Sequence, residues 1–210
     1  MARTGIPLAA LALAVSQAAV AADFSANLGF MSEYIFRGIS QSDSSAYGGL
    51  NMEAGGFYAG TWAADVDQGL EYDLYAGYGG DYGDFSYGLG WTGYFYTDDF
   101  DDTYNELNAS IGWKWLSLEY AAGRYDNFDG PTLDYGYWAA GGEYEGFYLK
   151  FAGFTQDFDG DYVEAGWGTE VAELEVSIAA IYSDEDLAGG ESGETSLAFT
   201  VGKSFGLGGE

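Results

Sequence analysis

In stretch after stretch of this chain every second residue is apolar, a period that places one apolar face on a strand and cannot do so on a helix. Ala26, Leu28, Phe30, Tyr34 and Phe36 fall on one face with Ser32, against Asn27, Gly29, Glu33 and Arg37. Leu174, Val176, Ile178, Ala180 and Tyr182 oppose Glu175, Ser177 and Ala179 in the same way. Twelve such runs can be marked, at 25–37, 46–54, 57–66, 71–79, 85–96, 104–113, 116–125, 135–144, 147–155, 162–171, 174–182 and 195–205. Most are close to the ~10 residues with which a tilted strand crosses a bilayer.

The connections divide into two kinds. After odd-numbered runs they are polar and mostly long, as at 38–45, 97–103, 126–134 and 183–194; after even-numbered runs they are tight, as at 55–56, 114–115, 145–146 and 172–173. Long loops on one side and short turns on the other predict an all-β fold, an antiparallel transmembrane β-barrel of about 12 strands with both termini periplasmic. A soluble β-sandwich alternates too. Against it stand a polar face rich in Gly, Ser, Thr and Tyr, which suits a crowded lumen, and aromatics grouped near strand ends. Phe36, Tyr72, Phe95 and Tyr182 would form one belt, and Tyr58, Tyr78, Phe85, Trp113, Tyr144, Phe147 and Phe205 the other. Tyr and Trp favour bilayer interfaces because their rings are amphipathic.

Residues 1–22 carry Arg3, an apolar stretch from Ile6 to Val15 and then small residues, the pattern of a secretory signal peptide. The barrel domain would then be 23–210. The chain has no cysteine and no histidine, which removes disulfides, thiolate nucleophiles, cysteine-based zinc sites and the commonest general base. Barrel enzymes that pair a histidine with a serine or carboxylate fail on that chemistry, so the expectation is no enzyme and no cofactor. With 34 acidic residues against six basic, a formal charge of −28 repels phosphate and makes nucleic acid a poor partner.

The block Tyr34-Ile35-Phe36-Arg37-Gly38-Ile39-Ser40-Gln41 and the residues before it from Ser25 resemble the opening of the TorF family of porins. Gly56-Phe57-Tyr58-Ala59-Gly60-Thr61-Trp62, Glu71 to Tyr78 and the closing Val201-Gly202-Lys203-Ser204-Phe205 carry the same likeness, while the stretch from about 100 to 194 matches only in pattern. The resemblance implies a Gram-negative outer-membrane location and a pore, and it puts Arg37 at the top of the first strand. It supplies no substrate.

If the apolar face meets lipid, the opposite face lines the pore. That set is Glu33, Glu53, Asp65, Glu71, Asp73 and Glu106 in the first half, then Glu119, Glu143, Glu164, Glu170 and Glu175, with Lys114 and Lys150 as basic exceptions. Carboxylates around a lumen select cations by making the pore potential negative. Twelve strands ~4.8 Å apart, tilted ~40°, give a backbone radius of about 12 Å, so passage is expected only for small cationic or neutral solutes. Arg37, alone among acids near the first outer loop, is expected to pair with a carboxylate and anchor that loop. Asp98, Asp99, Asp101 and Asp102, with Asp157, Asp159 and Asp161, are weak candidates for a divalent ion, against the simpler reading of a solvated acidic surface. The implied partners are outer-membrane lipid, lipopolysaccharide and the insertion machinery. The competing reading is a non-conducting surface or adhesion barrel whose acidic outer loops bind ions or a partner.

Overall fold

The computed structural model describes residues 21–208; the first 20 residues, where most of the expected signal peptide falls, lie outside them. Twelve strands close into one antiparallel barrel: β1 (Asp23–Met31), β4 (Ser45–Ala54), β5 (Phe57–Asp65), β6 (Leu70–Tyr82), β7 (Phe85–Tyr96), β8 (Tyr104–Trp113), β9 (Leu116–Tyr125), β10 (Leu133–Tyr144), β11 (Phe147–Gln156), β12 (Asp161–Val171), β13 (Leu174–Ser183) and β14 (Glu194–Gly206). Closure is by β1 against β14, from Ser25↔Gly206 to Met31↔Thr200. Every other neighbour is adjacent along the chain once β2 (Tyr34–Phe36) and β3 (Ile39–Ser42) are set aside as a separate two-stranded hairpin. A one-turn helix, α1 (Glu185–Ala188), sits in the β13–β14 loop.

The period of two fixes the faces. Leu28, Leu50, Leu74, Leu89, Leu107, Leu118, Phe151, Ile178 and Leu197 all point outward and are exposed. In water each would forgo ~1.5 to 3 kcal/mol of burial, whereas hydrocarbon solvates them. Outward aromatics form a belt at each end: Tyr72 stacks on Phe95 at 5.3 Å near the long loops, while Phe85 stacks on Trp113 and Phe147 packs on Trp167 near the tight turns. Tight turns take left-handed backbone at both central positions at Gly55-Gly56, Glu145-Gly146 and Ala172-Glu173, which matches the twist of paired strands.

Two expected members of the belts are inside. Tyr58 lies opposite Gly77 and fills the lumen so closely that a Cβ at Gly77 or Gly90 would stand 2.2 Å from its hydroxyl. Phe36 packs on the inward Tyr94, at 5.4 Å. The expected first strand, 25–37, in fact ends at Met31, because Ser32 bends the chain; its hydroxyl takes the amide of Phe199 and its own amide goes to the Phe199 carbonyl. Beyond that bend the alternation restarts on a different element, so Tyr34 and Phe36 no longer share the face of Leu28 and Phe30.

Candidate functional site

The β2–β3 hairpin folds into the barrel from the long-loop end. Its turn is Arg37-Gly38, both left-handed at φ 51° and 82°, flanked by the pair Phe36↔Ile39. From this turn the Arg37 guanidinium reaches the far wall, where Nη1 and Nη2 donate to Glu106 Oε2 and Oε1 of β8, each at 2.8 Å. That carboxylate is fully enclosed. Tyr94 and Tyr135 donate their hydroxyls to it at 2.8 and 3.0 Å, and Asn108 donates its amide. The guanidinium carbon lies 3.9 Å from the centroid of the Tyr137 ring, and the Tyr137 and Tyr162 hydroxyls share a hydrogen bond of 2.8 Å. Charge, fork geometry and stacking face all match a guanidinium.

Other contacts fasten the hairpin. Tyr34 donates to Glu71 of β6 at 2.8 Å, and Ser183 of β13 donates to the Gly38 carbonyl at 2.6 Å. A side chain at position 38 could not fit, since its Cβ would lie 2.9 Å from Leu187 of α1 and from Tyr162. Beneath the hairpin remains a cavity of about 30 Å³ between Met31, Glu33, Ile35, Gly38, Glu164 and Ala179, enough for a water. The β2–β3 segment thus fills the outer part of the lumen.

The structure sorts the expected pore-lining residues into groups. Glu71, Asp73, Glu106 and Glu164 are inward and buried around the hairpin, with Glu164 paired to Lys150 Nζ at 2.5 Å and accepting from Tyr148. Glu33, in the bend after β1, accepts from Ser196. Glu53, Glu119, Glu143, Glu170 and Glu175 share the inward face toward the tight-turn end, where they are half-buried or exposed; Ser204 donates to Glu175. Two assignments change. Asp65 pairs with the outward Leu70, so it lies on the outward face of β5 at its mouth end, accepting from the Ala46 amide. Lys114 is in the β8–β9 turn, 3.6 Å from Asp84, because the strand ends one residue before it. Glu71 Oε2 and Asp73 Oδ1 are buried with no hydrogen-bond partner.

Acidic-loop carboxylates are used as local caps and clasps. Asp101 accepts from Tyr104 and Tyr125, Asp102 from the amides of Thr103 and Phe128, Asp157 from the Asp134 amide, and Asp159 from the Gly160 amide. Asp98 accepts from the Thr97 hydroxyl, and the Asp161 amide donates to Asp184. Among the described residues no three metal-ligating side chains converge, Asp99 included.

The hairpin's role was hidden in the sequence because its apolar residues continue the phase of β1 across the bend. Arg37-Gly38, a turn pair between short β-rich stretches, was the available signal, and Glu106 carried none beyond its inward phase.

A family model described as a bacterial protein of unknown function (Gcw_chp) matches residues 15–201. No curated protein matches the chain. A solved chain from work on the mechanism behind in-meso crystallization of membrane proteins superposes with a TM-score of 0.59 at 9% identity, covering 90% of this chain and 85% of the other. Pseudomonas aeruginosa OccK2 (OpdF) in complex with glucuronate gives 0.43 at 13% identity, covering 84% of this chain and 61% of that one. A BenF-like porin from Pseudomonas fluorescens Pf-5 gives 0.40 at 11%, covering 84% and 59%.

Proposed function

The chain belongs to the Gcw_chp family of bacterial proteins of unknown function, and from its closed, apolar-walled and acidic barrel we propose an outer-membrane porin for small solutes, passive and cation-preferring. In this reading residues 1–22 direct export, the insertion machinery and lipopolysaccharide are partners, the long loops face outward and the tight turns face the periplasm. The TorF-like block at Tyr34 to Gln41 supports the same assignment. No catalytic role is assigned to any residue.

The observation that carries the reading is the charge of the inner face. Ten inward carboxylates, all those given above except Asp65, stand against Lys150 and the hairpin's Arg37, and both cations are already paired to Glu164 and Glu106. Low-dielectric walls focus the field of the accessible carboxylates Glu53, Glu119, Glu143, Glu170 and Glu175. Purified protein in a planar bilayer should therefore give a reversal potential of cation-preferring sign under a dilute KCl gradient. Preference should weaken in concentrated salt, where the Debye length falls from ~8 Å to ~3 Å. Anion preference would overturn the reading.

A second reading, a non-conducting surface barrel, draws on the filled outer mouth. Folded protein that carries no current in either wild type or a hairpin-loosened variant would favour it.

A further inference from the structure

We propose that the Glu106 pocket is a binding site for guanidinium-bearing solutes, which the chain fills with its own Arg37. The wall supplies the carboxylate, the donors that hold it and the nearer ring; the hairpin adds only the Phe36 ring, 5.0 Å from the guanidinium carbon. Glu106 offers two oxygens in the bidentate arrangement, Tyr94, Tyr135 and Asn108 hold that carboxylate in place, and Tyr137 lies under the guanidinium plane. An ammonium would use the charge and the ring face but could not present a planar fork to both Glu106 oxygens.

The hairpin side points the same way. Arg37 occupies a left-handed position of a two-residue turn, where Asn, Asp or Gly is favoured and a long side chain gains nothing from the backbone. Turn chemistry does not ask for arginine there; the opposite wall does. The hairpin is a tethered occupant, and its other fastenings, Tyr34 on Glu71 and Ser183 on Gly38, are neutral donors that add no competing cation.

A tethered group competes with a free one through its effective concentration, millimolar for a short flexible link. Guanidinium solutes drawn toward the acidic mouth therefore displace Arg37 at millimolar concentration or above, and the hairpin leaves the lumen as they enter. This exchange rests on the channel reading, but the binding step does not, so the two can be tested apart.

The experiment titrates methylguanidinium chloride into purified, detergent-solubilised full-length barrel and follows the thermal unfolding midpoint, with methylammonium and potassium chloride at equal concentrations. In Arg37→Asn, which suits the left-handed turn and vacates the pocket, methylguanidinium should raise the midpoint with half-saturation at ~0.1 mM, about tenfold below the millimolar effective concentration of the tethered group and about tenfold below methylammonium. Wild type should need about tenfold more, because Arg37 holds the site. Arg37→Lys should fall between them, and serves as the measurement if Arg37→Asn does not fold. Adding Glu106→Gln should abolish the selectivity. Equal responses to methylguanidinium and methylammonium, or a selectivity that survives Glu106→Gln, would overturn the proposal. Selective binding by a barrel that never conducts would instead remove the channel reading and leave the site standing.

Discussion

The two ends of this lumen are built from the same strands and the same alternation, yet their interiors are opposite in kind. At the long-loop end the inward residues are Tyr94, Tyr135, Tyr137, Tyr162, Glu71, Asp73 and Glu106, buried against a hairpin that carries one arginine. At the tight-turn end glycines, serines and the accessible Glu53, Glu143 and Glu170 stand with two half-buried tyrosines, Tyr58 and Tyr148. A carboxylate that stays charged at the first end needs a specific partner, as Glu106 has in Arg37, since an unpaired buried charge is costly, while one at the second needs only water. Ion pairs divide by enclosure and not by end, since Arg124–Asp134 is an exposed pair at the long-loop end. Arg37–Glu106 is enclosed and bidentate, whereas Lys203–Glu173 is a surface pair at 2.8 Å that holds Glu173 below the usual carboxylate range by the hydrogen bond and charge of Lys203.

That contrast can be broken by removing one partner at each end. Glu106→Ala should cost the most, ~3 to 5 kcal/mol of unfolding free energy in lipid, because it strands the Arg37 charge in an enclosed site. Ile178→Arg, on the outward face, should cost ~2 to 4 kcal/mol by placing a cation in hydrocarbon, while Glu170→Arg in the accessible end should fold normally; equal losses would refute the assigned faces. Gly77→Ala should cost ~1 to 3 kcal/mol, since both the Tyr58 ring and the Leu89 backbone carbonyl stand where its Cβ would go, and a further Tyr58→Ala should recover only the part due to the ring. Lys203→Ala, at the exposed pair, should leave the melting midpoint unchanged. A loss comparable to Glu106→Ala there would erase the distinction between the two ends.

Most of the barrel wall was legible residue by residue, with β5 the exception, where Tyr58 and Asp65 both take the face opposite to the expected one. Leu174, Val176 and Ile178 against Glu175, Ser177 and Ala179 read directly from the period of two, because lipid on one side and a lumen on the other leave no choice of register. The hairpin was not. Tyr34 and Phe36 keep the phase of Phe30, and only the bend at Ser32, set by its hydrogen bonds to Phe199 on the partner strand, turns that phase inward. A long-range contact between β1 and β14 has no trace in the local pattern. Lys114 was misread for a related reason: alternation does not mark where a strand stops, and the left-handed backbone at φ 57° does. Asp65 changes face together with Tyr58, because Phe57 to Val66 carries aromatics on both phases and only pairing with β6 turns Phe57 and Asp65 outward. The site's partners, Arg37 and Glu106, are 69 positions apart, so their pairing needed the closed barrel to bring them together.

The central claim is that the hairpin, held by Arg37, obstructs an acidic pore. Single-channel recording of wild type beside Arg37→Asn, both shown to be folded, tests it most directly. The account predicts small or infrequent openings in wild type and larger, longer, cation-preferring openings in the variant. Indistinguishable conductance in the two, or a variant current that prefers anions, would contradict it.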